Sequence, residues 1–267
     1  VDEKELANGR VQGDLNFNLG LVEFFELIKI YDFGEKKKKN WREKIERWKK
    51  KYDSLQFYSQ EKLTIPKVVN YFSDLTKDLT VSVSTGVGTH QQLSARYFDF
   101  DHPKRKWQTS SGHGTMGYDL PSIIGAMIAG ESDIGICFVG DGSFQLNIQE
   151  LATIKELNLK IVIVVLNNRR LGIVSQFQLM NWETDHSTGG KDNPNFAEIA
   201  RAYGLNCSRV QGIEDLKKIN IKVLEEKKLP LLVECLIDPE EDVLPMLMGG
   251  QKLNQMHPFN NQITLKE

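Results

Sequence analysis

Asp141 and Asn168 are two residues of this sequence whose types and spacing could do chemistry together. Asp141 sits in Gly140-Asp141-Gly142 and offers a carboxylate oxygen; Asn168 closes Asn167-Asn168 and offers an amide oxygen. Hard oxygens of this kind suit Mg²⁺, which takes one or two protein ligands and completes its octahedron with phosphate oxygens and water. Gly140 and Gly142 let a phosphate come close to the backbone. Ser143, at the expected start of a helix, can cap it and direct a hydroxyl and N–H groups at an anion. The local chemistry is that of a Mg²⁺–diphosphate site. Either motif alone is usually a plain turn, so the pair carries the information.

The elements that must position this pair are legible around it. An apolar run over residues 134–139 ends at the first turn, and a second over 161–166 ends at the other. Short apolar, β-branched runs closed by turn residues are buried strands, and the pattern between them is helical. The 24 residues from 143 to 166 are therefore a crossover, and the strands are parallel neighbours. Both turns then lie at the carboxyl edge of the sheet, where open α/β sheets bind ligands. A similar strand-to-helix transition follows residues 80–84, in Thr85-Gly86-Val87-Gly88-Thr89-His90. Its Gly88, Thr89 and His90 form another candidate phosphate cradle.

Composition bounds the rest. The 267 residues suffice for one large domain or two small ones, and 40% hydrophobic with 26% charged residues is ordinary for a globular protein. A net charge of −2 argues against nucleic acid or an anionic membrane as obligatory partner. No apolar stretch reaches the roughly 20 residues that span a bilayer, and with Val1 opening the chain no signal peptide is expected in it. Cys137, Cys207 and Cys235 are widely spaced in apolar runs, as expected of buried, reduced cysteines and a cytoplasmic location.

Residues 1–53 behave differently from the remainder. A helix is expected over 19–31, a solvated turn at the lysine run 35–39, and a packing stripe at Trp41, Ile45, Trp48 and Tyr52. Residues 54–61 read as a linker and 65–75 as a helix with Pro66 in its first turn. Gly125, Ala126, Ala129 and Gly130 suggest a helix packed closely on a neighbour. Residues 180–195 read as a mobile polar loop with His186 exposed. Then come a helix over 195–203, a strand over 205–210, a helix over 213–226, a strand over 229–237 and a C-terminal arm.

GDG and NN separated by about two dozen residues resemble the signature of thiamine-diphosphate-dependent enzymes. GDGSFQLNIQELATI, NNRRLGIVSQFQ and VLPMLMGGQKLNQM are similar to the catalytic subunit of the acetolactate synthase (acetohydroxyacid synthase) family. The resemblance implies an α/β fold with a doubly wound, mainly parallel sheet flanked by helices, preceded by the tail of a second α/β domain. Residues 1–53 would be the end of a middle domain and 62–267 the diphosphate-binding domain with its C-terminal arm. The pyrimidine-binding half would be missing, as in a fragment or a separately encoded part.

The same resemblance implies roles for residues. The turn with Gly88, Thr89 and His90 would contact the diphosphate, although the family usually has Gln at Thr89. Gly114 and Met116 in Gly-Thr-Met-Gly would lie under the cofactor, with Met116 bending it. Gly140, Gly142, Ser143, Gly172 and Ile173 would line the cofactor site. The backbone carbonyl of Arg170 would join Asp141 and Asn168 on the metal. Gln176 and Phe177, with Ile173, would line the substrate channel, Phe177 standing where the family often has Trp. His113 and Asp119 replace residues usual in acetolactate synthases. The implied activity is decarboxylation of pyruvate and joining of the two-carbon unit to a second 2-ketoacid, giving 2-acetolactate. The glutamate that activates the cofactor in the family has no counterpart here, and Glu150 reads as a capping or packing residue. FAD in the full-length protein and a homodimer or homotetramer are also implied. Two alternatives stand beside this one: another thiamine-diphosphate decarboxylase or carboligase, such as one of sugar modification, and a non-catalytic binding half.

Overall fold

The structure is a computed structural model that describes residues 17, 19–31, 35–100, 104–186, 188–190, 192–220 and 229–259. It divides into two units, Val1–Asp53 and Ser54–Glu267.

In the first unit, helix α1 spans Leu21–Ile28 and helix α2 spans Glu35–Lys51. The lysine run expected as a turn is instead the opening of α2. The Trp41–Trp48 pair meets edge-on with ring centroids 5.5 Å apart, and Lys44 Nζ lies 4.9 Å from the Trp48 ring. The aromatic stripe thus packs partly on itself, and Trp41 stays 54% exposed. Residues 1–16, the start of the stretch expected as the end of a middle domain, lie outside the described residues.

The second unit begins with a 3₁₀ turn, Ser54–Phe57, and helix α3, Ile65–Leu75. Thr64 caps α3 and Pro66 stands in its first turn, where a missing N–H costs nothing. The stretch expected as a linker contributes Tyr58 to the core. Tyr58 Oη also donates to the Leu244 carbonyl and accepts from the Leu244 N–H. Strand β1 is Val81–Thr85, helix α4 Thr89–Tyr97, strand β2 Arg105–Thr109 and helix α5 Asp119–Ile128. Strand β3, Ile134–Gly140, leads through helices α6 (Asp141–Leu146) and α7 (Glu150–Glu156) to strand β4, Ile161–Asn167. Helices α8 (Gly172–Trp182) and α9 (Phe196–Ala202) follow, then strand β5 (Asn206–Val210), helix α10 (Ile213–Leu216) and strand β6 (Leu231–Leu236).

The six strands form one parallel sheet in the order β2-β1-β3-β4-β6-β5. Strands β3 and β4 are nearly continuous apolar runs because helices cover both their faces. On one face Val68, Val69 and Phe72 of α3 and Leu93 of α4 pack on Val83, Phe138 and Val164. On the other, Leu120 and Ile123 of α5, Leu151 and Ile154 of α7 and Phe196 of α9 pack on Val139, Ile163 and Val165. The chain leaves β1 toward β2 on one side and returns to β3 on the other. The gap between the carboxyl ends of β1 and β3 is therefore a switch point, where such sheets bind ligands.

Three expectations need correction. Gly125 of α5 and Ala129 at its C-cap are exposed, and the helix packs through Leu120, Ile123 and Ile124. Of the helix expected over 213–226, residues 213–216 are helical and 217–220 are not, and 221–228 lie outside the described residues. Residues 180–182 belong to α8, and parts of the segment after it are fastened to the sheet edge, as described next.

Candidate functional site

The register of β3 on β4 pairs Gly140 with Leu166. Asp141 and Asn168, one and two residues beyond that pair, thereby leave the sheet at the same edge, both buried. A cavity of roughly 320 Å³ opens there, at the switch point. It is lined by Gly88, Thr89 and His90 from the β1–α4 turn, by Gly114 and Met116, and by Gly140, Asp141, Gly142 and Ser143. Asn168, Arg170, Gly172 and Ile173 close the opposite side. Sequence reasoning did not single out Ile65, Val87, Leu166, Leu171 and Val174, which supply apolar wall.

The glycines matter by what a side chain would meet. Gly88 has φ +138, a conformation that side chains avoid, and a Cβ there would lie 3.2 Å from His90 Nδ1. On Gly172 a Cβ would lie 2.6 Å from Thr89 Oγ1 and 3.1 Å from Asn168 Nδ2.

The oxygens at the edge are held by hydrogen bonds. Asp141 Oδ1 accepts from the Gly142 N–H at 2.8 Å, and Asn168 Oδ1 accepts from the Arg170 N–H at 3.2 Å. The second bond folds the loop after β4, with Arg169 left-handed at φ 56. Arg170 is buried: its Nη1 donates to the Pro239 carbonyl at 2.8 Å and its Nε lies 3.4 Å from Asp185 Oδ2.

Several side chains do something other than expected. Ser143 does not cap α6. Its hydroxyl donates to Asp119, at 2.9 Å to Oδ2 and 3.1 Å to Oδ1, and accepts from the Gly117 N–H at 2.7 Å. Asp119 is fully buried beneath the cradle, its Oδ2 3.6 Å from His90 Nε2. Burial and then the Asp119 charge push the nearby Cys137 thiol up, so it is no nucleophile. Gln176 is not on the cavity wall: its amide donates to the Val243 carbonyl at 3.0 Å and accepts from the Val243 N–H at 2.9 Å, pinning the C-terminal arm. Phe177 is 46% exposed and stacks edge-on with Trp182, away from the cavity lining.

The segment read as a mobile loop is tied down. Its Asp185 accepts from Ser175 Oγ, its Thr188 carbonyl from the Leu171 N–H at 2.7 Å, and Asn193 Nδ2 donates to Asp141 Oδ2 at 2.5 Å. His186 is exposed, with its backbone N–H bonded to Gln178. Coil without periodicity gave no signal for these contacts.

The donor set fits a metal-bound diphosphate. Thr89 Oγ1 is buried without a hydrogen-bond partner, and an anionic oxygen in the cavity would supply one, while His90 Nε2 faces the Asp119 carboxylate. Asp141 and Asn168 offer the hard oxygens that Mg²⁺ takes. Among the described residues, no three of His, Cys, Asp or Glu converge, so this edge does not offer a zinc-type set. Nor is any helix among them long and apolar enough to cross a membrane.

Comparison with known proteins agrees with this geometry. The sequence pattern of a family described as thiamine pyrophosphate enzyme, C-terminal TPP binding domain, matches residues 86–235. The chain is 37% identical over 226 residues to the acetolactate synthase large subunit of Cyanidium caldarium, covering 84% of this chain and 38% of that protein. It is 37% identical over 245 residues to the large subunit of Buchnera aphidicola (88% and 41%). To the mitochondrial acetolactate synthase catalytic subunit of Saccharomyces cerevisiae it is 34% identical over 259 residues (95% and 36%). The chain thus spans well under half the length of these relatives.

Proposed function

Since the chain belongs to the thiamine pyrophosphate (thiamine diphosphate) enzymes and carries their C-terminal cofactor-binding domain, we propose that its cavity holds the Mg²⁺–diphosphate end of that cofactor. Asp141, Asn168 and the Arg170 carbonyl would ligate the metal. Thr89 and His90 would meet phosphate oxygens, with Gly88, Gly140 and Gly172 leaving room, and Met116 with Ile173 would support the organic part. The cavity at the ends of β3 and β4 that both Asp141 and Asn168 line carries this assignment.

When bound, thiamine diphosphate supplies a nucleophilic carbon and an electron sink for decarboxylation. The residues of this chain would bind and orient it, with Val87, Leu166 and Ile173 supplying apolar wall that would limit water in the cavity. For the whole protein we propose acetolactate synthase activity, with pyruvate as donor and a second 2-ketoacid as acceptor. FAD and a homo-oligomeric state would belong to that whole protein. His113, Asp119 and Phe177, the positions where the resemblance to acetolactate synthases departs from the usual residues, leave room for a second reading: a related carboligase with another acceptor. Product from pyruvate alone against pyruvate plus a sugar carbonyl separates the two. A purely structural half is disfavoured, because a scaffold has no use for a buried carboxylate and amide held open to a cavity.

Calorimetry of the chain with thiamine diphosphate, with and without Mg²⁺, tests the assignment. Metal-dependent binding is expected, weakened at least ~100-fold (about 2.7 kcal/mol) in Asp141→Ala. Metal-independent binding that survives in Asp141→Ala would overturn it, as would silence from both this chain and the full-length protein.

A further inference from the structure

Asn193 belongs to no helix or strand. Both hydrogens of its amide are spent at the sheet edge: Nδ2 donates to Asp141 Oδ2 at 2.5 Å and to Asn167 Oδ1 at 2.9 Å. Its Oδ1 accepts from Gln145 Nε2 at 3.3 Å. Turned over, the amide would set its oxygen against two other oxygens, so its orientation is fixed. Behind it the bonds continue. Asn167 Nδ2 donates at 2.8 Å to Oε1 of Glu234, a carboxylate on β6 with no exposed surface. Glu234 Oε2 lies 3.2 Å from Arg209 Nε on the edge strand β5. A polar chain therefore runs across the carboxyl edge of the sheet, from Arg209 through Glu234, Asn167 and Asn193, to the carboxylate expected to hold the metal.

We propose that Asn193, backed by Asn167, Glu234 and Arg209, is a positioning residue for the metal centre. It grips one oxygen of Asp141 while the Gly142 N–H grips the other, and so fixes the plane that the carboxylate presents to Mg²⁺. A carboxylate oxygen has two lone pairs, so the hydrogen bond and a metal bond coexist. Outer-shell partners of this kind orient ligands and raise metal affinity. This inference rests on the Mg²⁺–diphosphate assignment above.

The test measures the Mg²⁺ concentration that half-saturates thiamine diphosphate binding, by calorimetry, together with the melting temperature of each metal-free protein. Asn193→Ala and the similarly sized Asn193→Leu should each raise that concentration about ten- to hundredfold. Asn195→Ala is the control: it removes the helix cap that accepts from the Glu198 N–H, in the same segment but away from Asp141. It should lower the melting temperature and leave the metal requirement unchanged. Equal loss of metal affinity in all three variants would reduce Asn193 to a structural part and overturn the proposal. Unchanged or tighter metal binding in Asn193→Ala would overturn it too, tighter binding marking the amide as a competitor of the ion. Wild-type protein that binds without any metal dependence sinks the parent assignment and this inference with it; a normal wild type beside an unaffected Asn193→Ala sinks this inference alone.

Discussion

At Gly86 there is no space for a side chain: a Cβ would lie 2.2 Å from Oδ2 of Asp119 and 3.0 Å from Oγ of Ser143. The buried Asp119 carboxylate fills the volume that a β-carbon at residue 86 would need. Gly86→Ala should therefore destabilise the protein by about 1–3 kcal/mol, the usual cost of overpacking. The cause can be isolated by urea denaturation of Gly86→Ala, Asp119→Ala and the double variant. If Asp119 is what the methyl meets, the double variant is more stable than the sum of the single costs by ~1 kcal/mol or more. Additive costs would place the strain elsewhere. At this scale the sequence was legible where a residue ends a strand. Asp141 and Asn168 needed only a parallel βαβ unit to be brought together. It was not legible where a side chain finds its partner far along the chain. Ser143 looks like a helix cap, but its hydroxyl goes to Asp119, 24 residues earlier. Gln176 looks like a channel residue, but its amide goes to Val243, 67 residues later. Asn193 carried no local signal, because its role is set by the Asp141 and Asn167 side chains, which only the folded sheet edge gathers.

Among the elements, helix α3 depends on a remote carboxylate. Glu241, 8% exposed, accepts the Ile65 N–H at 2.8 Å with Oε1, satisfying a donor at the helix start, while its Oε2 is buried without a hydrogen-bond partner. Burial pushes this carboxyl up to about 8; the Ile65 N–H and Lys67 oppose the shift, and Asp238 and Asp242 add to it. In the unfolded chain the same group titrates near 4.5. Between those values the folded protein keeps a proton that the unfolded chain has lost. Its contribution to stability is thus complete below about 4.5 and is lost as pH rises through about 8. Glu241→Gln retains an acceptor for Ile65 but carries no charge. Denaturation from pH 5 to 8 should show the wild type losing stability relative to the variant, by up to ~1.4 kcal/mol per pH unit. A constant difference would mean that Glu241 is ionised throughout. The strands β3 and β4 and the first turn of α3 were readable from apolar runs and from Pro66. Strand β2 was not: Arg-Lys-Trp-Gln-Thr at a half-exposed sheet edge has no continuous apolar run to announce it.

For the molecule as a whole, the doubly wound order sends the turns after β1, β3 and β4 to one edge, and the cavity forms there within the second unit. That arrangement followed from sequence patterns because parallel strands covered on both faces must be apolar throughout. The segment after α8 and the C-terminal arm were harder, since both are held by individual hydrogen bonds and not by periodic burial. Among the described residues, the proton acceptors on the cavity wall are Asp141, engaged by Gly142 and Asn193 and assigned to the metal, and His90, assigned to the phosphate end. Carbon–acid chemistry of the proposed kind needs a proton acceptor beside the reacting carbon, and positioned acid–base groups contribute about 10²–10⁴-fold. The chain also spans only 36 to 41% of the length of the relatives it matches. The 267-residue chain, given Mg²⁺ and thiamine diphosphate, should therefore bind the cofactor yet consume pyruvate at least ~10²-fold more slowly than a complete relative. Joining it to the pyrimidine-binding portion of a relative should restore turnover. Pyruvate consumption at an ordinary rate by the chain alone would show that its own residues supply the base, and the division of labour proposed here would have to be abandoned.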